Sequence, residues 1–194
     1  DNEVGPHSYD ELEWPIVRRM IHSTADFDFA GKNKIIFHKD AISSGMSALK
    51  NGCSIICDVN GLVGLLNKQN PKDFGNDLIC NISDPSLMES AKKTGKTRAQ
   101  MSMRVAEKEI DGGIVVVGNA PTALLEVMEM VKEGLVKPAL VVGMPVGFVS
   151  AVESKDELSK TDIPFITNIG RKGGSPCASA IINALYKLLR QGSN

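Results

Sequence analysis

Short β-branched runs alternate with longer amphipathic stretches along most of this chain. "KIIFH" (34–38) reads as a strand, and "KDAISSGMSALKNG" behind it as a helix stopped at Gly52. "SIICD" (54–58) is a second strand, followed by "VNGLVGLLNK", a short helix weakened by glycine, and "DLICNI" (77–82) is a third strand. Asp84 caps the next helix with Pro85 at its first position, and "KTRAQMSMRVAEKEI" after Gly95 reads as one further helix. "GIVVVG" (113–118) is a buried strand, and the helix "NAPTALLEVMEMVKEG" after it opens at Pro121 and stops at Gly134. "ALVVG" (139–143) and "PFITNI" (164–169) complete the strands. The last helix opens at "SPCASAIINALYKLL", with Ser175 as cap and Pro176 in its first turn.

This alternation predicts an α/β fold: a largely parallel sheet with helices on both faces, Rossmann-like in three layers, forming a single domain over residues 1–194. Ligands bind such sheets at the carboxyl ends of the strands, near a switch in strand order. Three loops, "GNAPT", "GMPVGF" and "GRKGGSP", all follow predicted strands, so they are expected to form one rim.

Composition narrows the function without naming it. Lys and Arg total 22 against 23 Asp and Glu, a net charge of −1, so no global field points to nucleic acid or a membrane surface. No apolar run approaches the roughly 20 residues of a membrane span, and the acidic, polar start does not read as a signal peptide. Cys53, Cys57, Cys80 and Cys177 are scattered, as expected of buried packing residues in a reducing, cytoplasmic setting. The three histidines share no metal-binding spacing, so no metal site is expected.

Each candidate site has two readings at this level. In "GNAPT", backbone N–H groups at a helix start suit a carboxylate or phosphate, or Asn119 and Thr122 merely cap a tight turn around Ala120. A dinucleotide fingerprint is absent, and Pro121 removes one donor that a pyrophosphate would use. "GRKGGSP" offers Arg171 and Lys172 with Gly173, Gly174 and Ser175, either a close-approach ligand loop or a surface turn. Thr97 and Arg98 open a helix where a cation opposes the macrodipole, which a ligand contact would explain. Val146, Gly147 and Phe148 offer an apolar cover for a flat ligand, or a crossover packed on the sheet.

His22 stands apart. Ile16, Val17, Met20 and Ile21 form an apolar stripe at helical spacing, and His22 points nearly opposite its centre, to solvent or to a cavity wall. Arg18 lies one turn before it, and Asp26 one turn after it if the helix continues. Opposed charges about a histidine suit a proton donor near neutral pH. With no nucleophile elbow and no Cys–His signature, proton transfer is the chemistry that remains.

Taken together, "IVVVGNAPTALLEVMEMVKEG", "PALVVGMPVGFVSAVESKDEL" and "GRKGGSPCASAIINAL" closely resemble the precorrin-8X methylmutase (precorrin isomerase) family, with "RRMIHSTADFDF", "CDVNGL" and "GKTRAQMSM" in the family's order. The resemblance runs from about residue 11 to 189. It implies an isomerase of cobalamin biosynthesis that moves a methyl group between adjacent carbons of ring C of precorrin-8X or its cobalt form, giving hydrogenobyrinate or cobyrinate without a cofactor. It implies that His22 is the proton donor. Thr97, Arg98, Asn119, Ala120, Thr122, Val146, Gly147, Phe148, Arg171, Lys172, Gly173, Gly174 and Ser175 would line the tetrapyrrole site. A homodimer with the site near the subunit interface is implied as well. Two departures stand: the family's N-terminal substrate-contacting serine has no placed counterpart in "DNEVGPHSYDELEWP", and Ile169–Gly170 stand where an additional arginine is common. Rival readings are a non-catalytic tetrapyrrole carrier and a nucleotide-dependent α/β enzyme.

Overall fold

The computed structural model describes residues 3–192. Among the described residues six strands form one sheet: β1 (Ile35–Phe37), β2 (Ile55–Cys57), β3 (Leu78–Ile79), β4 (Ile114–Val117), β5 (Leu140–Gly143) and β6 (Phe165–Asn168), in the order β1-β6-β5-β4-β2-β3. All neighbours are parallel except β1, which runs antiparallel to β6 at the edge, with Ile35 opposite Asn168 and Phe37 opposite Ile166.

The continuous apolar runs of the central strands follow from burial on both faces. Ile55, Cys57, Ile114, Val116, Leu140, Val142 and Ile166 point into one core. The residues between them, Ile56, Val115, Val117, Val141 and Phe165, point into the other. Helices α1 (Glu13–Thr24), α2 (Ala41–Lys50), α3 (Asn60–Leu65) and α10 (Ser175–Gln191) cover the first face. Helices α6 (Arg98–Arg104), α7 (Glu107–Ile110), α8 (Pro121–Lys132) and α9 (Ala151–Leu158) cover the second. Two further helices, α4 (Gln69–Phe74) and α5 (Ser86–Thr94), flank β3.

The expected three-layer α/β architecture is therefore present, and it contains a switch point. The chain runs outward from β2 to β3, then returns past β2 to β4. After β2 it turns to α3 on one face, and after β4 to α8 on the other. The carboxyl ends of β2 and β4 thus feed loops that diverge, which opens a crevice between them.

Several local expectations are corrected. The stretch 96–110 is two helices, interrupted at Val105–Ala106, where Ala106 takes φ −97° and ψ 18°; Val105 disfavours a helix only slightly and Ala106 favours one, so the sequence carries no clear signal for the break. β3 is only two residues long, because the chain turns away at once and Asp84 N–H bonds to Asn81 C=O. Residues 151–158, which the alternation above assigns to no element, form α9, with Ser150 left-handed at φ 60° before it. Asp84 does accept the Ser86 N–H at 2.8 Å, but Pro85 precedes α5 rather than opening it. Ser175 is the first residue of α10, and the cap position falls to Gly174 at φ +111°. α1 ends at Thr24 with Ala25 left-handed (φ 53°), so Asp26 does not continue the helix beneath His22.

Candidate active site

The three loops expected to form a rim do converge. Gly118 lies so close to the start of α10 that a Cβ there would stand 2.8 Å from the Ser175 Cα and 2.9 Å from its N. Gly174 N–H donates to Met144 C=O at 2.7 Å, and Gly147 N–H to Arg171 C=O at 3.3 Å. A Cβ on Gly173 would meet Met144 O at 2.4 Å. Glycine at 118 and 173 is thus the condition for packing the ends of β4, β5 and β6 together.

A fourth loop joins them. Thr97 caps α6 in a reciprocal capping box with Gln100, and its hydroxyl donates to the Thr122 hydroxyl at 3.2 Å. "GKTR" and "GNAPT" are therefore in direct contact. Arg98 follows as the first residue of α6, exposed beside a shallow hollow lined by Met88, Lys92 and Lys96. Below it, the buried carboxylate of Glu126 receives Lys96 Nζ at 2.8 Å, Gln100 Nε2 at 2.7 Å and Arg104 Nε, while Arg104 also pairs with Glu133. These partners hold the Glu126 carboxyl below its ordinary pKa against the desolvation that would raise it. One buried charge thereby clamps α6 onto α8 and sets where Thr97 and Arg98 stand.

The anion site expected at "GNAPT" is already filled from within. Asp58, fully buried at the end of β2, accepts the N–H groups of Gly118 at 3.0 Å, Asn119 at 2.8 Å and Ala120 at 2.7 Å. Burial raises its pKa, and the three backbone donors pull the other way. The capping reading fails as well, because α8 has no side-chain cap bond from Asn119 or Thr122. Asp58 takes that role across the switch-point crevice. A phosphate would need the donors Asp58 holds, which counts against the nucleotide reading.

On the far side of the rim, Lys155 of α9 is only 1% exposed. Its ammonium donates to Lys172 C=O at 2.8 Å and to Asn168 Oδ1 at 3.2 Å. Asn168 Nδ2 also donates to the same carbonyl, at 3.0 Å, and to Ile169 C=O at 2.8 Å. Burial pushes the Lys155 pKa down to about 8. The backbone of "NIGRK" is thus pinned from beneath. From above, Lys172 Nζ binds Asp26 and Asp28, each at 2.7 Å, which ties this loop to the turn after α1. Arg171 is exposed, its guanidinium 5.6 Å from the centre of the Phe148 ring. Phe148 and Val149 are 87% and 81% exposed, with Val146 at 44%, an apolar edge open beside that arginine.

His22 lies elsewhere. It is exposed in the last turn of α1 and lines a cleft of about 820 Å³ over α1 and α10, with Arg18, Arg19, Leu65, Asn183 and Lys187 among its walls. None of the rim residues expected from the sequence lines this cleft. The link between the two is the Lys172 pair with Asp26 and Asp28 just beyond α1. Among the described residues no group of three or more His, Cys, Asp and Glu side chains is placed to hold a metal. All four cysteines are free thiols, and burial pushes Cys53 up to about 11 and Cys177 up to about 12, so neither is a ready nucleophile.

Sequence reading alone does not single out Asp58, Lys155 or Glu126. Asp58 had one available signal, an acid directly after an apolar strand and facing the start of another strand–helix turn. Lys155 and Glu126 fall at ordinary helical positions, and only the packing shows that their charges are buried.

Fold and rim together define an α/β domain of the switch-point class, with a loop-built site over the carboxyl ends of its strands and a histidine-lined cleft beside it. The sequence pattern of the precorrin-8X methylmutase family matches residues 1–188. A cobalt-precorrin-8 methylmutase of Priestia megaterium is 50% identical over 190 residues, 98% of this chain and 84% of that protein. One from Methanocaldococcus jannaschii is 45% identical, over 92% of this chain and 81% of its own length. The crystal structure of a precorrin-8X methyl mutase from Thermus thermophilus superposes with a TM-score of 0.92 at 41% identity, covering 99% of this chain and 92% of that one. The chain belongs to the precorrin-8X methylmutase family, and it is an isomerase of cobalamin biosynthesis.

Proposed function

We propose that this enzyme moves a methyl group between adjacent carbons of ring C of precorrin-8X or cobalt-precorrin-8, with His22 protonating the macrocycle as the methyl migrates. The observation that carries this reading is that His22 is an exposed imidazole on the wall of a cleft large enough for a ligand, while the buried cysteines are ill suited to nucleophilic chemistry. A rearrangement promoted by protonation needs one positioned acid and no cofactor, so a lone histidine suffices.

Thr97, Arg98, Thr122, Phe148 and Arg171 form the rim wall of the site in this reading. Arg98 and Arg171 supply charge for peripheral carboxylates, while Val146, Gly147 and Phe148 cover the macrocycle's face. Asn119, Ala120 and Gly173 to Ser175 act through backbone shape, since Asp58 and Met144 already take several of their N–H groups. The enzyme works as a cytoplasmic homodimer without nucleic acid or membrane. Support for the dimer is that His22 and the rim line separate hollows within one protomer, and that the apolar edge at Phe148 and Val149 is open. Among the described residues, no helix is long and apolar enough to cross a membrane.

The direct test replaces His22 with alanine. Conversion of precorrin-8X to the cobyrinate-type product, read by the change in visible spectrum, should fall by at least about 100-fold. A carrier would show no spectral conversion even in the unaltered protein. Turnover at the unaltered rate by His22→Ala would sink the proposal.

A further inference from the structure

The cleft lined by His22 is edged by cations. In a chain with net charge −1, Arg18, Arg19, Lys187 and Arg190 all line this one cleft, and among the described residues no aspartate or glutamate does. Arg190 is committed elsewhere, bound to Asp73 and stacked over Phe74. Arg19 and Lys187 are exposed and share the cleft lining with apolar and amide side chains as well as with the other cations and His22. Arg19 lies three residues before His22 on α1, close enough for the two side chains to face one ligand. Lys187 approaches from α10, which packs along α1. Pro15, Leu65, Leu66, Ala184 and Leu188 give the same cleft an apolar share of its lining.

A cleft with apolar lining and cations but no acids suits a hydrophobic ligand that carries anionic groups. The volume, about 820 Å³, falls in the usual range of small-molecule sites, about 300–1,000 Å³. The backbone donors anticipated from the sequence, the "GNAPT" amides, are taken by Asp58.

We infer that Arg19 and Lys187 bind peripheral carboxylates of the tetrapyrrole in the His22 cleft and so orient it against the imidazole. The inference rests on the proposed methylmutase reading and deepens it. Charge-assisted contacts to a carboxylate are stronger than contacts to an amide, and they weaken with salt. The cleft therefore distinguishes a polycarboxylate corrinoid from its amidated counterpart.

The test titrates the enzyme with hydrogenobyrinate, and separately with a corrinoid whose peripheral carboxylates are amides, following visible absorbance at low and high salt. The unaltered enzyme should favour the polycarboxylate at least tenfold, with the preference shrinking as salt rises. An Arg19→Gln/Lys187→Met variant should lose at least tenfold of that preference and raise KM, with kcat changed far less. Its circular dichroism and sedimentation should match the unaltered enzyme. An unmoved preference in the double variant would overturn the inference. So would a change in sedimentation, which would assign the two cations to contact between copies of the chain. His22→Ala separates the two levels: wild-type turnover there defeats the methylmutase mechanism, whereas an unmoved ligand preference defeats only the role of Arg19 and Lys187.

Discussion

At residue 58 the structure replaces the expected ligand with one of its own side chains. Three N–H groups at a strand-to-helix turn are an anion site by their physical chemistry, and the sequence reading is right about that much. The anion is the Asp58 carboxylate, delivered from the neighbouring strand across the crevice. Asp58→Asn keeps the shape but cannot accept all three donors as an anion does. It should cost about 2–3 kcal/mol in urea unfolding, the scale of hydrogen bonds to a charged group. Gly118→Ala places a Cβ 2.8 Å from the Ser175 Cα. Overpacking of that kind costs about 1–3 kcal/mol, and the enforced parting of the two loops should lower turnover as well. Lys155 makes a prediction in pH. Its pKa falls from 10.5 to about 8 on folding, so the unfolded chain binds more protons between those values. Unfolding free energy should therefore gain a rising component from about pH 8 to 10.5, with a slope limited to about 1.4 kcal/mol per pH unit. Lys155→Met should remove that component in denaturant titrations run at both pH values.

Elements were legible where the residues carry their own signal. Pro121 at the start of α8 and Gly134 past its end bracket it as the sequence implies, and the two-sided burial of β4 and β5 matches their unbroken apolar runs. The break in 96–110 and the helix at 151–158 were not legible, since nothing at Val105 or Ala106 forbids a helix and "GMPVGF" punctuation hid the start of α9. Likewise the loops could be named as one rim from their places after strands, but not the clamp beneath them. Glu126 falls at a helical position that shows no charge partner in sequence, 22 residues from Arg104 and 30 from Lys96. Breaking a buried pair costs about 3–5 kcal/mol. Glu126→Ala should approach that loss and free the start of α6, so that KM rises through Arg98 and Thr97 even where the fold survives. Denaturant unfolding alongside steady-state kinetics checks both.

For the whole molecule, the two-sided sheet acts as a frame that presents two surfaces. One is the rim of loops at the switch point, drawn together by glycine contacts and by Asp58. The other is the cleft between α1 and α10, where His22 shares a wall with Arg19 and Lys187. The dimer proposed above would let one ligand meet both surfaces, and on that proposal sedimentation should report twice the 20.8 kDa chain mass. The role of His22 never followed from its periodicity, which only turned it away from the core. The measurement that tests the account most directly is single-turnover conversion of precorrin-8X by His22→Ala, beside a titration of the same variant with product. The account predicts product binding close to that of the unaltered enzyme and conversion slowed by at least about 100-fold. Conversion at the unaltered rate would contradict it.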